Sequence, residues 1–191
     1  AVREQLRHDP ERQPPEVLVE ARDDDSHAAV GEGEGRLDDR VVAGFEALAR
    51  WNHPRLGRMA PGEFITIAEE TGLIIPIGAW VLNEACRQAR RWTDNGHRSL
   101  RIAVNLSSRQ FEDRDLVGTV RRALEDNDLR GSRLELEITE TAAIANFSQA
   151  SRFIQALKEL GCKFALDDFG TGLSSFGYLK HFPVDFLKID G

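Results

Sequence analysis

The chain has 191 residues, of which 41% are hydrophobic and 30% are charged, an ordinary composition for a globular protein in water. No apolar run approaches the roughly 20 residues that span a bilayer, and the N-terminus lacks the apolar core of a secretory signal. We therefore expect a cytoplasmic protein without a membrane segment. The net charge is −7, and no basic stripe indicates a surface for duplex nucleic acid. Cys86 and Cys162 have neither zinc nor disulfide spacing, which predicts two buried apolar side chains.

Residues 1–40 differ in composition from the rest of the chain. They contain 12 acidic and 6 basic residues and no Phe, Trp or Tyr. Low hydrophobicity with high charge is typical of a disordered segment, because little apolar surface is available to offset the entropy lost on ordering. We predict a poorly ordered acidic arm over residues 1–40 and a folded domain over residues 41–191.

The first regular element is predicted directly after the arm. Residues 41–51 read VVAGFEALARW and alternate between two faces, which predicts a strand. Glu46, Leu48 and Arg50 share one of these faces. Pro54 and Gly57 then predict a loop.

Helices and strands alternate through the remainder of the chain. Apolar stripes and Pro or Gly boundaries predict helices at residues 61–70, 77–92, 113–127 and 148–160. Short apolar runs predict strands at residues 101–106, 134–140, 162–166 and 184–191. Alternation of this kind predicts an α/β fold, with a parallel sheet of about five strands and right-handed crossovers.

Polar side chains recur at the ends of the predicted strands. One face of each strand is aliphatic, and the other face carries Glu46, Asn105, Glu137 and Lys188, with Asp167 and Asp168 at the matching end. Polar groups on inward faces near strand carboxyl ends are the signature of a (β/α) barrel active site. A Rossmann-like fold is disfavoured, because no Gly-x-Gly-x-x-Gly turn follows any strand.

These side chains are hard oxygen donors, which fit Mg²⁺ or Mn²⁺ better than a metal that prefers thiolate or imidazole. Two such ions about 4 Å apart suit in-line hydrolysis of a phosphate ester. Arg50, on the same strand face as Glu46, can offer a bidentate fork to phosphate.

Each candidate ligand also has a structural alternative. Glu137 could pair with an arginine, and Asn105 could cap the helix that follows it. Lys188 could bridge to Asp185 or Asp190. Such pairs would make each residue part of the scaffold rather than of a site.

Two further alternatives concern the same stretches of chain. Asp167 and Asp168 could cap the glycine-rich turn that follows them, because Asp and Gly both favour turns. Lys188 could act as a Schiff-base lysine in an aldolase-like barrel.

Five motifs give the chain a specific family resemblance. GFEALARWNHP, AVNLSSRQF, LELEITE, FALDDFGTGLSSFGYL and DFLKIDG, in this order, resemble the EAL domain family of cyclic di-GMP phosphodiesterases. The resemblance covers residues 41–191 and implies a modified TIM barrel in bacterial signalling. It also implies hydrolysis of cyclic di-GMP to the linear dinucleotide pGpG with two Mg²⁺ or Mn²⁺ ions, and it allows an EAL–EAL dimer.

The resemblance assigns a role to each candidate residue. It implies metal binding by Glu46, Asn105, Glu137 and Asp167, with Asp168 at the second ion. It implies substrate contacts for Arg50 and Leu48, a water-positioning role for Lys188, and stabilisation of the loop after the paired aspartates by Glu140.

Two departures from the family pattern set a further expectation. The family's first strand has no match before Val41, and the family's late catalytic glutamate and glutamine have no match before Gly191. We therefore expect an incomplete TIM-like barrel of the EAL type, with slow or absent turnover by these 191 residues. The rival interpretation is a non-catalytic or degenerate fragment that binds nucleotide or a protein partner.

Overall fold

The computed structural model describes residues 16–22, 27–29, 43–53, 55–145, 147–170 and 182–189. The strands are β1 (Glu16–Arg22), β2 (His27–Ala29), β3 (Gly44–His53), β4 (Gly57–Met59), β5 (Arg101–Asn105), β6 (Leu134–Thr139), β7 (Lys163–Phe169) and β8 (Phe186–Ile189). The helices are α1 (Pro61–Thr71), α2 (Ile74–Asp94), α3 (Leu116–Asp126), α4 (Glu140–Ala145) and α5 (Phe147–Glu159). Short 3₁₀ helices occupy Ser108–Glu112 and Gly131–Arg133.

A run of five parallel strands forms the centre of the fold. β3, β5, β6, β7 and β8 are neighbours in this order, and each pair is parallel. Their aliphatic face packs against α2, α3 and α5. The buried side chains of this core include Leu82, Cys86, Ile102, Val120, Leu136, Ile154 and Leu166. The predicted α/β class and its five parallel strands are confirmed.

Two strands lie inside the predicted arm. β1 runs antiparallel to β3, with Glu16 opposite Arg50, and β2 runs antiparallel to β8, with His27 opposite Lys188. The expectation of an arm with no place in the sheet does not hold for these two segments. Each segment forms backbone hydrogen bonds with a sheet edge that would otherwise be open. Composition alone does not reveal this stabilisation. The other residues of the arm lie outside the described ranges.

The positions of β1 and β2 require a strongly curved sheet. They stand at opposite ends of the seven-strand order β1-β3-β5-β6-β7-β8-β2. A flat sheet with six gaps of about 4.8 Å would separate its edges by about 29 Å. Arg22 and His27 are only five residues apart, so the chain between them reaches at most about 19 Å. The described strands therefore curl into an open barrel, in which β1 and β2 are not paired with each other.

The helix boundaries follow from local chemistry, including where they differ from the predicted ones. α1 begins at Pro61 and ends before Gly72, whose φ of 75° is left-handed. α2 begins three residues before its predicted start, because Pro76 lies in the first turn, where a missing N–H leaves no intrahelical bond unmade. α3 begins late because the Asp113 carboxylate accepts the Asp115 N–H at 3.0 Å, which holds a turn instead of helix.

Two strand boundaries also differ from prediction. β4 forms a hairpin with β3 in a stretch predicted as loop, with Trp51 opposite Met59. β7 extends past its predicted end at Leu166, and its pairing with β8 shifts register between Leu166 and Phe169. This irregular stretch includes Asp168, whose φ is 54°.

The two cysteines are free and buried, as predicted. Burial raises the pKa of the Cys86 thiol to about 12, with a smaller contribution from the charge of Cys162. Burial alone raises the pKa of Cys162 to about 12. Both therefore act as small apolar side chains at neutral pH. Among the helices of the described ranges, none combines the length and the hydropathy needed to cross a membrane.

Candidate active site

The polar face of the parallel strands carries two layers of side chains. Parallel register places Asn105 beside Glu137, and Glu137 beside Ala165. Because side chains alternate with period two, Asp167 shares the face of Ala165, and Lys188 shares the face of Phe186. The upper layer lies towards the carboxyl ends of the parallel-paired stretches and consists of Glu46, Asn105, Glu137, Asp167 and Lys188. The lower layer, at their amino ends, consists of Arg101, Glu135, Lys163 and Phe186.

Lys188 is at the centre of the upper layer. Its Nζ lies 3.0 Å from Oε2 of Glu137, 3.2 Å from Oδ2 of Asp167 and 3.9 Å from Oε2 of Glu46. Asn105 completes the layer by donating a hydrogen bond from Nδ2 to Oε1 of Glu46. The structure thus brings together five residues that the sequence placed at the ends of five different strands.

Burial makes the charges of the upper layer strongly interdependent. The Glu137 side chain has no accessible surface, and those of Lys188 and Asp167 are 15% and 23% accessible. Water screens charges poorly at such depth, so each contact between opposite charges carries more energy than it would at the surface. Three carboxylates of the upper layer lie within 4 Å of the single ammonium group of Lys188.

The contacts of Lys188 and Asn105 differ from the structural alternatives that the described residues can test, and Asp190, the other partner considered for Lys188, lies outside those residues. Asp185 pairs with Lys163 at 2.9 Å and with Lys158 at 3.3 Å, rather than with Lys188. Asn105 donates its side-chain hydrogen bond across the sheet to Glu46, and the cap residue of the following 3₁₀ helix is Ser107. Glu137 pairs with Lys188 at 3.0 Å.

The chain just after the upper layer is shaped by a buried glutamate. Glu140 begins α4 and is 2% accessible, and its Oε2 accepts the N–H of Gly170 at 3.0 Å. The N–H of Asp168 donates to Oδ1 of Asp167 at 3.0 Å. Glu140 therefore fixes the end of β7, where the aspartate pair lies.

Arg50 and Leu48 lie further along β3, on the face that carries Glu46. Both are partly buried. Nη1 of Arg50 donates to the backbone oxygen of Ala49 at 3.0 Å. Their place beyond Glu46 is on the carboxyl side of the upper layer, where a ligand above the strand ends would meet them.

The lower layer was not predicted. Arg101 pairs with Glu135 at 3.3 Å, and its guanidinium lies 5.1 Å from the centre of the Phe186 ring. Lys163 pairs with Asp185, the residue just before β8. The same period-two alternation, continued two or four residues towards the amino end of each strand, would have indicated this layer.

The donor chemistry of the upper layer fits a hard divalent cation. Carboxylates of Glu46, Glu137 and Asp167 and the amide oxygen of Asn105 are the ligand types that Mg²⁺ and Mn²⁺ prefer. Within the described ranges, however, no group of three or more His, Cys, Asp or Glu side chains is arranged to hold a metal ion. The carboxylates are gathered around the Lys188 ammonium instead.

Comparison with known proteins agrees with the motifs. A family model described as "EAL domain" matches residues 36–191. The bifunctional diguanylate cyclase/cyclic di-GMP phosphodiesterase MucR of Pseudomonas aeruginosa is 50% identical over 149 residues, which are 78% of this chain and 22% of MucR. The cyclic di-GMP phosphodiesterase NbdA of the same organism is 44% identical over 154 residues, which are 81% of this chain and 20% of NbdA.

A solved structure shows the same similarity in three dimensions. The MucR phosphodiesterase in complex with c-di-GMP superposes with a TM-score of 0.78 at 42% identity, over 91% of this chain and 66% of that chain. The chain thus spans about a fifth of the length of the two curated relatives. With five motifs in order, a family model over most of its length and a shared fold, the chain belongs to the EAL domain family.

Proposed function

We propose that this chain carries a phosphodiesterase site that hydrolyses cyclic di-GMP to pGpG with Mg²⁺ or Mn²⁺. The main support is the convergence of three carboxylates, an amide and a lysine at the carboxyl ends of five parallel strands. Two relatives that are named cyclic di-GMP phosphodiesterases, and a c-di-GMP complex with the same fold, support the choice of substrate. A cytoplasmic setting and an EAL–EAL dimer belong to this proposal as well.

The side chains would divide the work by charge. Glu46, Asn105, Glu137 and Asp167 would hold the first ion, and Asp168 would contribute to the second. When bound, the ions supply Lewis-acid stabilisation of the charge that develops on the phosphoryl group. Excess negative charge in a buried layer is the environment in which divalent cations bind well.

The remaining residues would orient the reactants. Arg50 would donate to a phosphate oxygen with its guanidinium, and Leu48 would contact the substrate beside it. Lys188, whose ammonium group already donates to two carboxylates, would orient the attacking water through its remaining donor. Glu140 would keep the aspartate pair in place through Gly170.

A second candidate function is binding of cyclic di-GMP without turnover. The observation that favours it is the arrangement of the carboxylates around Lys188, with no metal geometry in the part of the chain that the structure describes. Slow turnover by these 191 residues also remains a prediction. The aldolase-like alternative is disfavoured, because Nζ of Lys188 donates hydrogen bonds to the carboxylates of Glu137 and Asp167 and is therefore held by two acidic partners.

Binding and turnover have to be measured separately to decide between these functions. The purified chain is incubated with cyclic di-GMP and Mn²⁺, product is followed by ion-exchange chromatography, and binding is measured by calorimetry with Ca²⁺ in place of Mn²⁺. Asp167→Asn removes one upper-layer charge without changing shape, and Asp115→Asn is the matched control at a surface pair with Arg122.

Each outcome supports one of the two candidate functions or rejects both. Binding with pGpG formation that is lost in Asp167→Asn and kept in Asp115→Asn supports the phosphodiesterase. Binding without product supports the second candidate. Absence of both binding and product rejects both functions for this chain.

A further inference from the structure

The upper layer has a charge problem that one residue addresses. Glu137 is fully buried, and its carboxylate shares the layer with those of Glu46 and Asp167. Carboxylates this close in a poorly hydrated site repel one another unless a cation lies among them. The Lys188 ammonium lies within 4 Å of all three.

From this geometry we infer that Lys188 is the internal counterion of the upper layer, and that a divalent cation must compete with its ammonium group for the same carboxylate oxygens. The inference rests on the proposed function only for the identity of the competing cation. Lys188 would then lower the affinity of the site for the ion and stabilise the fold when no metal is bound, in addition to its water-positioning role.

The lower layer is paired differently. There Arg101 pairs with Glu135, and Lys163 pairs with Asp185, the residue just before β8, which also pairs with Lys158 of α5. These two carboxylates meet three cations, so no further cation is needed. In the upper layer one ammonium group serves three carboxylates, and a doubly charged ion placed among them would neutralise more charge than the lysine does.

Competition follows from the atoms involved. Oε2 of Glu137 and Oδ2 of Asp167 accept from Nζ of Lys188 at 3.0 and 3.2 Å. A metal ligand oxygen directs a lone pair at the ion at about 2.0–2.6 Å. The ammonium and the ion therefore draw on the same oxygens and repel each other, so removal of the ammonium should tighten ion binding.

Two measurements without nucleotide test the inference. The melting temperature is measured in EDTA and in saturating Mn²⁺, and the Mn²⁺ dissociation constant is measured by electron paramagnetic resonance of the free ion. The variants are Lys188→Met, which removes the charge, and Lys163→Met, the same change in the lower layer with its own carboxylate partner.

Lys188→Met is expected to melt at least about 6 °C below the wild type in EDTA, because it removes the ammonium partner of the fully buried Glu137 carboxylate and of Asp167. Mn²⁺ should raise its melting temperature more than that of the wild type. Its Mn²⁺ dissociation constant should be at least about tenfold lower than the wild-type value. Lys163→Met should leave Mn²⁺ affinity unchanged.

A double variant covers the case in which Lys188→Met does not fold in EDTA. Lys188→Met with Glu137→Gln removes the ammonium and one buried carboxylate together, and it should regain stability relative to the single variant. Equal or weaker Mn²⁺ binding by Lys188→Met rejects the competition. A double variant no more stable than the single one shows that Lys188 acts through packing, which also rejects it.

Failure of this inference can be told apart from failure of the proposed function. All measurements omit cyclic di-GMP, so a chain without turnover can still show metal-linked stability. A chain that turns over cyclic di-GMP while Lys188→Met binds Mn²⁺ no more tightly keeps its function and loses the inference alone.

Discussion

The two polar layers on the inner face of the sheet differ in how their charges are paired. In the lower layer Arg101 pairs with Glu135, and Lys163 pairs with Asp185, the residue just before β8, which also pairs with Lys158 of α5. In the upper layer Glu46, Glu137 and Asp167 are gathered around the ammonium group of Lys188. The carboxylate of Asp185 also accepts the backbone N–H of Phe164 at 3.0 Å, which ties the lower layer to the start of β7.

This difference in charge pairing suggests that the lower layer is part of the scaffold and the upper layer is part of the site. A layer whose charges and hydrogen bonds are matched internally has nothing to offer a ligand, and its residues contribute to stability. A buried layer in which several carboxylates share one ammonium group is suited to bind a further cation, and clustering of like charges there comes at some cost to stability. Mutations in the two layers should therefore affect different measurements.

Loss of Asp185, the partner of the lower-layer residue Lys163, should have the largest effect on stability. Asp185→Ala leaves two lysines and the Phe164 N–H without their carboxylate, and we expect a loss of about 3 kcal/mol in the free energy of unfolding, measured in urea. Mn²⁺ affinity should not change. Asp115→Ala, at an exposed pair, is the control.

The same aspartate should make the stability of the fold depend on pH in the acid range. Burial opposes ionisation of Asp185, but the bonds from Lys163 and the Phe164 N–H and the charge of Lys158 outweigh it, so the folded-state pKa of Asp185 lies below the ordinary value. A depressed pKa stabilises the fold fully above the unfolded pKa of about 3.9 and loses this effect as the pH falls further. A wild-type stability difference from Asp185→Ala that persists unchanged at pH 2 would contradict this assignment.

The next largest loss of stability is expected at Gly131, where two backbone segments are in close contact near the amino end of β6. Gly131 opens the 3₁₀ helix before β6, and a Cβ there would lie 2.0 Å from the Leu160 carbonyl oxygen. Gly131→Ala should therefore cost about 2 kcal/mol by thermal unfolding. Gly62→Ala in α1 meets nothing within 4 Å and should be neutral or stabilising. Equal effects of the two changes would contradict the close packing.

An upper-layer substitution should change binding more than folding. Glu46→Gln removes one surplus charge and keeps an oxygen to accept from Asn105, so the free energy of unfolding should change by less than about 1 kcal/mol. Mn²⁺ affinity should fall at least tenfold by paramagnetic resonance, since an amide is a weaker ligand than a carboxylate. If Glu46→Gln destabilised the chain as strongly as Asp185→Ala, the two layers would not differ in the way described.

The smallest effect is expected at an exposed pair. Arg122 and Asp115 lie 2.7 Å apart on the surface, with side chains 58% and 64% accessible. Arg122→Ala should change the free energy of unfolding by less than about 0.5 kcal/mol in urea. A larger loss would mean that burial is not what distinguishes the inner-face layers from ordinary surface pairs.

Much of the fold could be predicted because its strands are regular. Alternation at Glu46, Glu137 and Lys188 placed these side chains on one face, and parallel connection then required them to meet at one end. Pairings of opposite charge were less predictable, because they depend on which strands become neighbours. Lys188 lies two strands from Glu137, whereas Asp185 and Asp190 are its neighbours in sequence.

The errors have specific causes. Residues 16–22 carry enough charge to resemble a disordered segment, and their place in the sheet comes from the open edge of β3, which local composition does not encode. The lower layer was missed because Arg101 and Glu135 stand at strand starts, where polar residues are common and rarely mark a site.

The pairing of β2 with β8 has a consequence for the order of folding. β1 and β3 are separated by about twenty residues, whereas His27 and Lys188, which are opposite one another, are 161 positions apart. At a synthesis rate of about 5–20 residues per second, β8 is synthesised roughly 10–30 s after β2. Contacts of such long range form late, because loop closure has to precede any stabilisation. β1 can therefore join the sheet early, whereas the addition of β2 to β8 is the slow step expected in folding.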